Sequence, residues 1–187
     1  MIYKALMDSL VALFKEQSLH LGNFVLSSGR RSSYYIDARR STMSAAGLDL
    51  IGRMGLQVIR ELAWQPSTVG GLTLGADPVA YAIALASRRT PPSIDAFTVR
   101  KEAKTHGAGR LIEGCFEKGA QVVVVEDVLT TGGSALRALE AVRQAGGEVI
   151  GVLGVVDREE GGLAEIRKAG VRAEALLSVR DLGVEPQ

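Results

Sequence analysis

The sequence predicts an α/β fold, a parallel sheet with helices on both faces, and three observations carry that expectation. Residues 122–125 are four consecutive valines, and a β-branched run of this kind is the habit of a strand buried on both faces. Apolar strand-like and helix-like segments alternate from about residue 65 to 180, the order that builds parallel units with helical crossovers. Four polar clusters, "GGLTLGAD", "RKEAKTHG", "EDVLTTGGS" and "DREEGG", each follow an apolar run. Ligands of such sheets sit beyond the carboxyl ends of the strands, where these clusters fall.

Element by element, the chain opens on a helix in which Leu6, Leu10, Leu13 and Phe14 recur at helical spacing among charges. "NFVLSSGRRSSYYIDARR" reads as two short extended pieces around a polar turn at Ser28 and Gly29. From Ser41 to about Leu62 a long helix is expected, with Ile51, Gly55, Val58, Ile59 and Leu62 on one face. "STVGGLTLGADPVAYAIALASRR" gives a short strand, a glycine-rich turn and a helix, with Asp77 as N-cap and Pro78 at the first helical position. "SIDAFTVR" is a strand, and the polar, aperiodic "KEAKTHGAGRLIEG" after it is placed in a long loop. The valine strand and its helix follow, with Ala135, Ala138, Leu139 and Val142 buried and Gly146 ending the helix. "EVIGVLGVVDR", "GGLAEIRKAG" and "AEALLSV" complete the chain as strand, short helix and strand. The expected organisation is one domain, residues 1–187, with an N-terminal subregion of about 40 residues folded against the α/β core.

Bulk composition bounds the function. The 187 residues are 47% hydrophobic and 23% charged with a net charge of +1, so no global field draws in nucleic acid or a membrane, and any anion site must be local. The one cysteine, Cys115, excludes an internal disulfide and a multi-cysteine metal site and suits a reducing cytoplasm. No stretch approaches the ~18 apolar residues of a membrane span, and the first residues lack a signal-peptide layout.

The chemistry concentrates in "VVVVEDVLTTGGS". Glycines let the backbone approach a ligand, and the N–H groups and hydroxyls of Thr130, Thr131, Gly132, Gly133 and Ser134 can surround phosphate oxygens. A plain strand-to-helix turn with serine as N-cap suits the same composition. Upstream stand Glu126 and Asp127, while the lysine of a Walker loop and the G-x-G-x-x-G spacing of a dinucleotide loop are both missing. A carboxylate pair at a strand end is suited instead to the vicinal hydroxyls of a ribose whose 5'-phosphate fills the loop. In "VRKEAKTHG", Arg100, Lys101, Lys104 and His106 put three fixed cations and an imidazole within seven residues, a repulsive set unless a polyanion gathers them. A solvated charged loop is the plain alternative. Tyr34 and Tyr35 could shield a flat ring or serve as core and rim. Arg158 could clamp a planar carboxylate or pair on the surface with Glu159 or Glu160.

Together these segments resemble a known family. "VVVVEDVLTTGGS" looks like the phosphoribosyl pyrophosphate (PRPP) signature of type I phosphoribosyltransferases, which includes Val128 and Leu129 between the acids and the phosphate loop. "VRKEAKTHG" resembles the mobile catalytic loop of the orotate-using members, and "FVLSSGRRSSYYIDAR" their N-terminal substrate hood. The resemblance runs from about Leu21 to Arg158 in the expected order, with one departure: Ser27 stands where many relatives carry lysine, so contacts assigned to that lysine are not carried over. It implies a Rossmann-like type I core under a small hood, and transfer of the phosphoribosyl group of PRPP to orotate. It further implies Lys101, Lys104, His106 and Asp127 as catalytic, Arg100, Glu126 and residues 128–134 beside them on PRPP, and Thr130, Arg158, Tyr34 and Tyr35 at orotate. Mg²⁺ would be held mainly through PRPP rather than by direct protein ligands, and a homodimer would share the 100–114 loop between subunits. A phosphoribosyltransferase for a purine base and a PRPP-sensing regulator remain as alternatives. The intact cationic loop argues against the regulator, since binding alone needs no such lid.

Overall fold

A computed structural model describes residues 2–25, 29, 31–102 and 111–187. Its centre is a six-stranded sheet in the order β5-β4-β3-β6-β7-β8, where β3 is Thr68–Leu72, β4 Asp95–Val99, β5 Ile112–Gly114, β6 Gln121–Leu129, β7 Glu148–Asp157 and β8 Ala173–Ser178. Strands β4, β3, β6, β7 and β8 run parallel. A separate antiparallel hairpin, β1 (Leu19–Val25) with β2 (Arg31–Ile36), forms the hood side.

The valine run does what its chemistry requires. Val123 and Val125 enter one core with Leu10, Phe14, Tyr34 and Ile51, whereas Val122 and Val124 enter the other with Ala138 and Leu139. The first core is covered by α1 (Ile2–Gln17), α3 (Ala45–Glu61) and α4 (Ala76–Arg89), and the second by α5 (Gly133–Gln144) and α6 (Gly162–Lys168). The N-terminal helix and hairpin therefore share their apolar interior with the first face of the sheet. Ser18 Oγ and Ser41 Oγ, 2.6 Å apart and buried, fasten the hairpin's base to α2 (Ala38–Thr42).

Four expectations need correcting. The segment 101–114 is not loop throughout, because Ile112–Gly114 pair antiparallel with β4 and make the sheet mixed. Three residues carry too little periodicity to be read as a strand, and only the open edge of β4 makes them one. The helix expected from Ser41 is two helices, broken where Ser44 Oγ accepts the Gly47 N–H at 3.0 Å and caps α3. Helix α4 starts at Ala76 with Gly75 as N-cap, so Asp77 and Pro78 already lie in its first turn. Gly70 and Gly71 sit inside β3 rather than in a turn. A Cβ at Gly70 would lie 2.2 Å from the Phe97 carbonyl oxygen, and one at Gly71 2.2 Å from that of Val125. Glycine is needed there because β3 is pressed between β4 and β6.

That packing predicts that Gly71→Ala destabilises the protein by about 1–3 kcal/mol through overpacking. Thermal and urea melts measure it, and an unchanged midpoint would contradict the close approach.

Candidate functional site

The carboxyl ends of β3, β4 and β6 and the exit of the hairpin enclose a cleft of 280 Å³, near the lower end of small-ligand sites. Tyr35 and Asp37 line it from the hood, Thr73 to Gly75 from the β3–α4 loop, Lys101 from the end of β4, and Glu126, Asp127 and Ser134 from β6 and α5. A larger groove of 990 Å³ runs between α1, α3 and α4 past Leu48, Leu56 and Leu85. None of the acids or hydroxyls expected to bind substrate lines it, so the smaller cleft is the chemical site.

The acidic pair lies within β6 rather than beyond its end. Glu126 is buried, 6% exposed, and its Oε2 has no hydrogen-bond partner among the described residues. Burial first, and then the Asp127 carboxyl beside it, push the Glu126 pKa up to about 9. At neutral pH Glu126 is therefore a protonated acid able to donate a hydrogen bond. Asp127 is half-buried, with Oδ1 accepting its neighbour Val128's N–H at 2.9 Å. The β3–α4 loop closes on it, since a Cβ at Gly75 would lie 2.4 Å from Asp127 Oδ1.

Past Leu129 the chain turns into α5 as expected, but Gly132 rather than a serine is the N-cap, with φ of 83°. That left-handed conformation favours glycine, and Leu136 N–H returns to the Gly132 carbonyl at 2.9 Å to begin the helix. Thr131, Gly133 and Ser134 stay exposed around the helix N-terminus, while Thr130 is half-buried. A Cβ at Gly162 would lie 2.5 Å from the Thr130 carbonyl oxygen, so the start of α6 backs the loop.

The remaining residues divide. Lys101 lies on the cleft and is exposed. Arg100 donates its N–H to Leu111 O at 2.8 Å, and its Nη1 is 3.8 Å from Glu113, which ties the base of the cationic loop to β5. Lys104, His106 and Ser27 lie outside the described residues. Tyr34 and Tyr35 take core and rim positions. Tyr34 is fully buried and does not line the cleft, whereas Tyr35 is 40% exposed and does. Arg158 is neither an open clamp nor a surface pair. Its guanidinium is buried 5.2 Å from the Tyr34 ring centroid, with Nη2 2.9 Å from Glu160 Oε1. Its backbone N–H donates to Leu129 O at 2.9 Å, placing it beside the phosphate loop. Asp37 and Arg39, 3.7 Å apart, also line the cleft and were missed. Their signal was available: Asp37 and Arg39 stand on either side of Ala38 directly after "YYI", where the extended segment ends.

A mostly parallel sheet whose central strand carries an acidic pair near its carboxyl end and leads into a Thr/Gly/Ser loop and a helix N-terminus defines a phosphoribosyl-transferring class of protein. The family model for the phosphoribosyl transferase domain matches residues 43–170. The chain is 50% identical over 178 residues to the orotate phosphoribosyltransferase of Mycobacterium tuberculosis (strain ATCC 25618 / H37Rv), covering 94% of this chain and 96% of that one. The crystal structure of the Mycobacterium tuberculosis H37Rv enzyme with Fe(III) dicitrate superposes with a TM-score of 0.86 at 47% identity, over 96% of this chain and 99% of that one. The complex with PRPP gives a TM-score of 0.79 at 41% identity, over 96% and 92% of the two chains. The chain belongs to the phosphoribosyl transferase family, among its orotate phosphoribosyltransferases.

The raised pKa of Glu126 fixes a sign. The folded state holds a proton that the unfolded state releases near 4.5, so the contribution to stability is complete below that pH and is lost as pH rises through about 9. Glu126→Gln is expected to flatten the fall in melting temperature between pH 5 and pH 9 relative to wild type, roughly in proportion to the lost proton linkage. Parallel pH profiles for the two proteins would place the proton elsewhere.

Proposed function

We propose that the chain transfers the phosphoribosyl group of PRPP to orotate, giving orotidine 5'-monophosphate and pyrophosphate in pyrimidine biosynthesis. The observation that carries the reading is the Glu126–Asp127 pair facing a cleft lined also by Lys101 and by Ser134, the last residue of the Thr130–Ser134 loop. A relative superposing over nearly the whole chain has been solved with PRPP bound, which supports assigning that cleft to the same ligand.

In this assignment residues 130–134 hold the 5'-phosphate through backbone N–H groups and hydroxyls at the α5 N-terminus. Val128 and Leu129 carry the chain between the acids and that loop. Asp127 accepts from one ribose hydroxyl, and protonated Glu126 donates to the oxygen of another. Orotate N1, reacting as an anion, forms a bond to ribose C1 as the C1–O bond to pyrophosphate breaks, the bonding electrons leaving with pyrophosphate. Positive charge grows on the ribose and negative charge on the leaving group, so catalysis is chiefly electrostatic. Arg100, Lys101, Lys104 and His106 gather over the pyrophosphate and exclude water. Tyr35 lines the cleft, whereas Arg158 and Thr130 lie beside it without lining it, so the assignment of orotate to Tyr35, Thr130 and Arg158 requires the guanidinium to turn from Glu160 toward the ligand while Tyr34 packs against it.

The Asp127 carboxyl on the cleft, with protonated Glu126 beside it, fits Mg²⁺ held mainly through substrate oxygens, since the ion needs few protein ligands. Glu126 and Asp127 would face it across the ribose hydroxyls, and its charge would offset that of pyrophosphate. Among the described residues no helix is long and apolar enough to cross a membrane. The exposed single cysteine supports a reducing compartment such as the cytoplasm.

The assay is pyrophosphate release from PRPP and Mg²⁺ with orotate or a purine base. Turnover with orotate alone is expected, and turnover with a purine alone would replace the reading. Arg158→Ala should raise the KM for orotate by roughly one to two decades, the loss of a charge-assisted contact, with little change for PRPP. A collapse of PRPP binding instead would move Arg158 to the phosphate side.

The lid is proposed to act across a homodimer, Lys101 leaving the position it takes on its own cleft in the single chain and reaching the partner's cleft together with His106. Lys101→Ala and Asp127→Ala homodimers should each be nearly inactive. Equal mixing with subunit exchange should restore up to about a quarter of wild-type activity, because each heterodimer contains one site with neither defect. No recovery despite demonstrated exchange would refute the shared site.

A further inference from the structure

The β3–α4 loop contributes Thr73, Leu74 and Gly75 to the cleft, yet nothing in those three residues explains what holds them in place. The answer lies one turn into α4. Thr73 Oγ1 donates to Asp77 Oδ2 at 2.7 Å, and Thr98 Oγ1 donates to Asp77 Oδ1 at 2.9 Å. One carboxylate therefore spans the loop after β3 and the last residues of β4. Its N-cap position is taken by Gly75, so its two oxygens are spent on these hydroxyls rather than on the helix end. A main-chain bond reinforces the tie, Thr73 N–H to Val99 O at 2.8 Å. Thr98 has a single hydroxyl proton and gives it to Asp77, so the 3.1 Å contact with Tyr81 must run from the tyrosine O–H to Thr98 Oγ1. The result is a directed chain, Tyr81 to Thr98 to Asp77, with Thr73 as the second donor.

Its two ends matter to the cleft. On one side Gly75 is pressed against Asp127, leaving no room for a side chain. On the other, Thr98 stands three residues before Lys101, a cation on the cleft. Neither Asp77 nor Thr98 lines the cleft.

We propose that Asp77 is a positioning residue that holds the 73–75 loop against Asp127 and the end of β4 in one geometry, coupling PRPP binding to the placement of Lys101. The role rests on the PRPP reading above. It requires that disturbing the network affect PRPP and Lys101 together while sparing orotate, which a purely structural residue would not do selectively.

The experiment is steady-state kinetics with PRPP and orotate varied separately. Asp77→Ala is expected to raise the KM for PRPP by on the order of tenfold, as expected for losing hydrogen bonds to a charged acceptor, and to lower kcat. The KM for orotate should stay within about twofold, a change below the worth of one such bond. Thr98→Val, which keeps the shape and removes the hydroxyl, should move the same parameters in the same direction, and Thr98→Ser should restore them. The Thr98 pair decides the matter if Asp77→Ala does not fold. In the double variant Asp77→Ala/Lys101→Ala, the loss in kcat/KM should be smaller than the product of the single losses, because the carboxylate acts partly through the lysine. Equal shifts in both KM values, indistinguishable valine and serine variants at 98, or multiplying single effects would each overturn the positioning role. Wild-type protein without orotate-dependent turnover would overturn the PRPP reading and this inference with it, whereas normal wild-type turnover with any of the other results removes only the role of Asp77.

Discussion

The close seating of β3 between β4 and β6 is the constraint on which the cleft depends. Two glycines without side chains let the Phe97 and Val125 carbonyls approach within distances that a Cβ would forbid. With the three strands held so tightly, their carboxyl ends emerge side by side, and the loop after β3 lands on Asp127. Wider spacing would separate the two walls of the cleft and leave the acidic pair facing solvent. Core packing on both faces then locks the arrangement, since β6 supplies alternate valines to each.

From that burial follows the electrostatics. Glu126 and Asp127 are neighbours in sequence but not equals in the fold. Glu126 sits deep enough that desolvation holds its proton, and the carboxyl beside it adds to the effect. Asp127 lies at the surface of the cleft, fixed by a main-chain N–H. Two chemically similar side chains thus acquire a donor role and an acceptor role, a division suited to a sugar with two adjacent hydroxyls.

The cations are placed by a different logic. A net charge of +1 cannot attract a polyphosphate from a distance, so positive charge has to be concentrated where the polyanion binds. Arg100 is anchored by main-chain bonding to the strand β5 and by the nearby Glu113, and Lys101 follows it at the cleft. The antiparallel strand β5 thereby gives the cationic segment a rigid return point. Arg158 is held more deeply, between an aromatic ring and Glu160, with its backbone bonded to the end of β6. A guanidinium buried this way retains its direction.

Much of this was legible in the residues themselves. The valine run, the alternation of strand and helix, the acidic pair, the Thr/Gly/Ser loop and the cationic segment are local patterns, set by side-chain shape, periodicity and charge within a dozen residues, and they determined the fold class and the family. Other features were not local and could not be read that way. That Gly70 and Gly71 belong to a strand, that Ile112–Gly114 form one, that Tyr34 is core while Tyr35 is rim, and that Asp77 serves two threonines instead of a helix end all depend on atoms brought near from distant parts of the chain. The tertiary structure alone decided that Glu126 holds its proton well above the usual carboxylate range, because desolvation is a property of what surrounds a group in space.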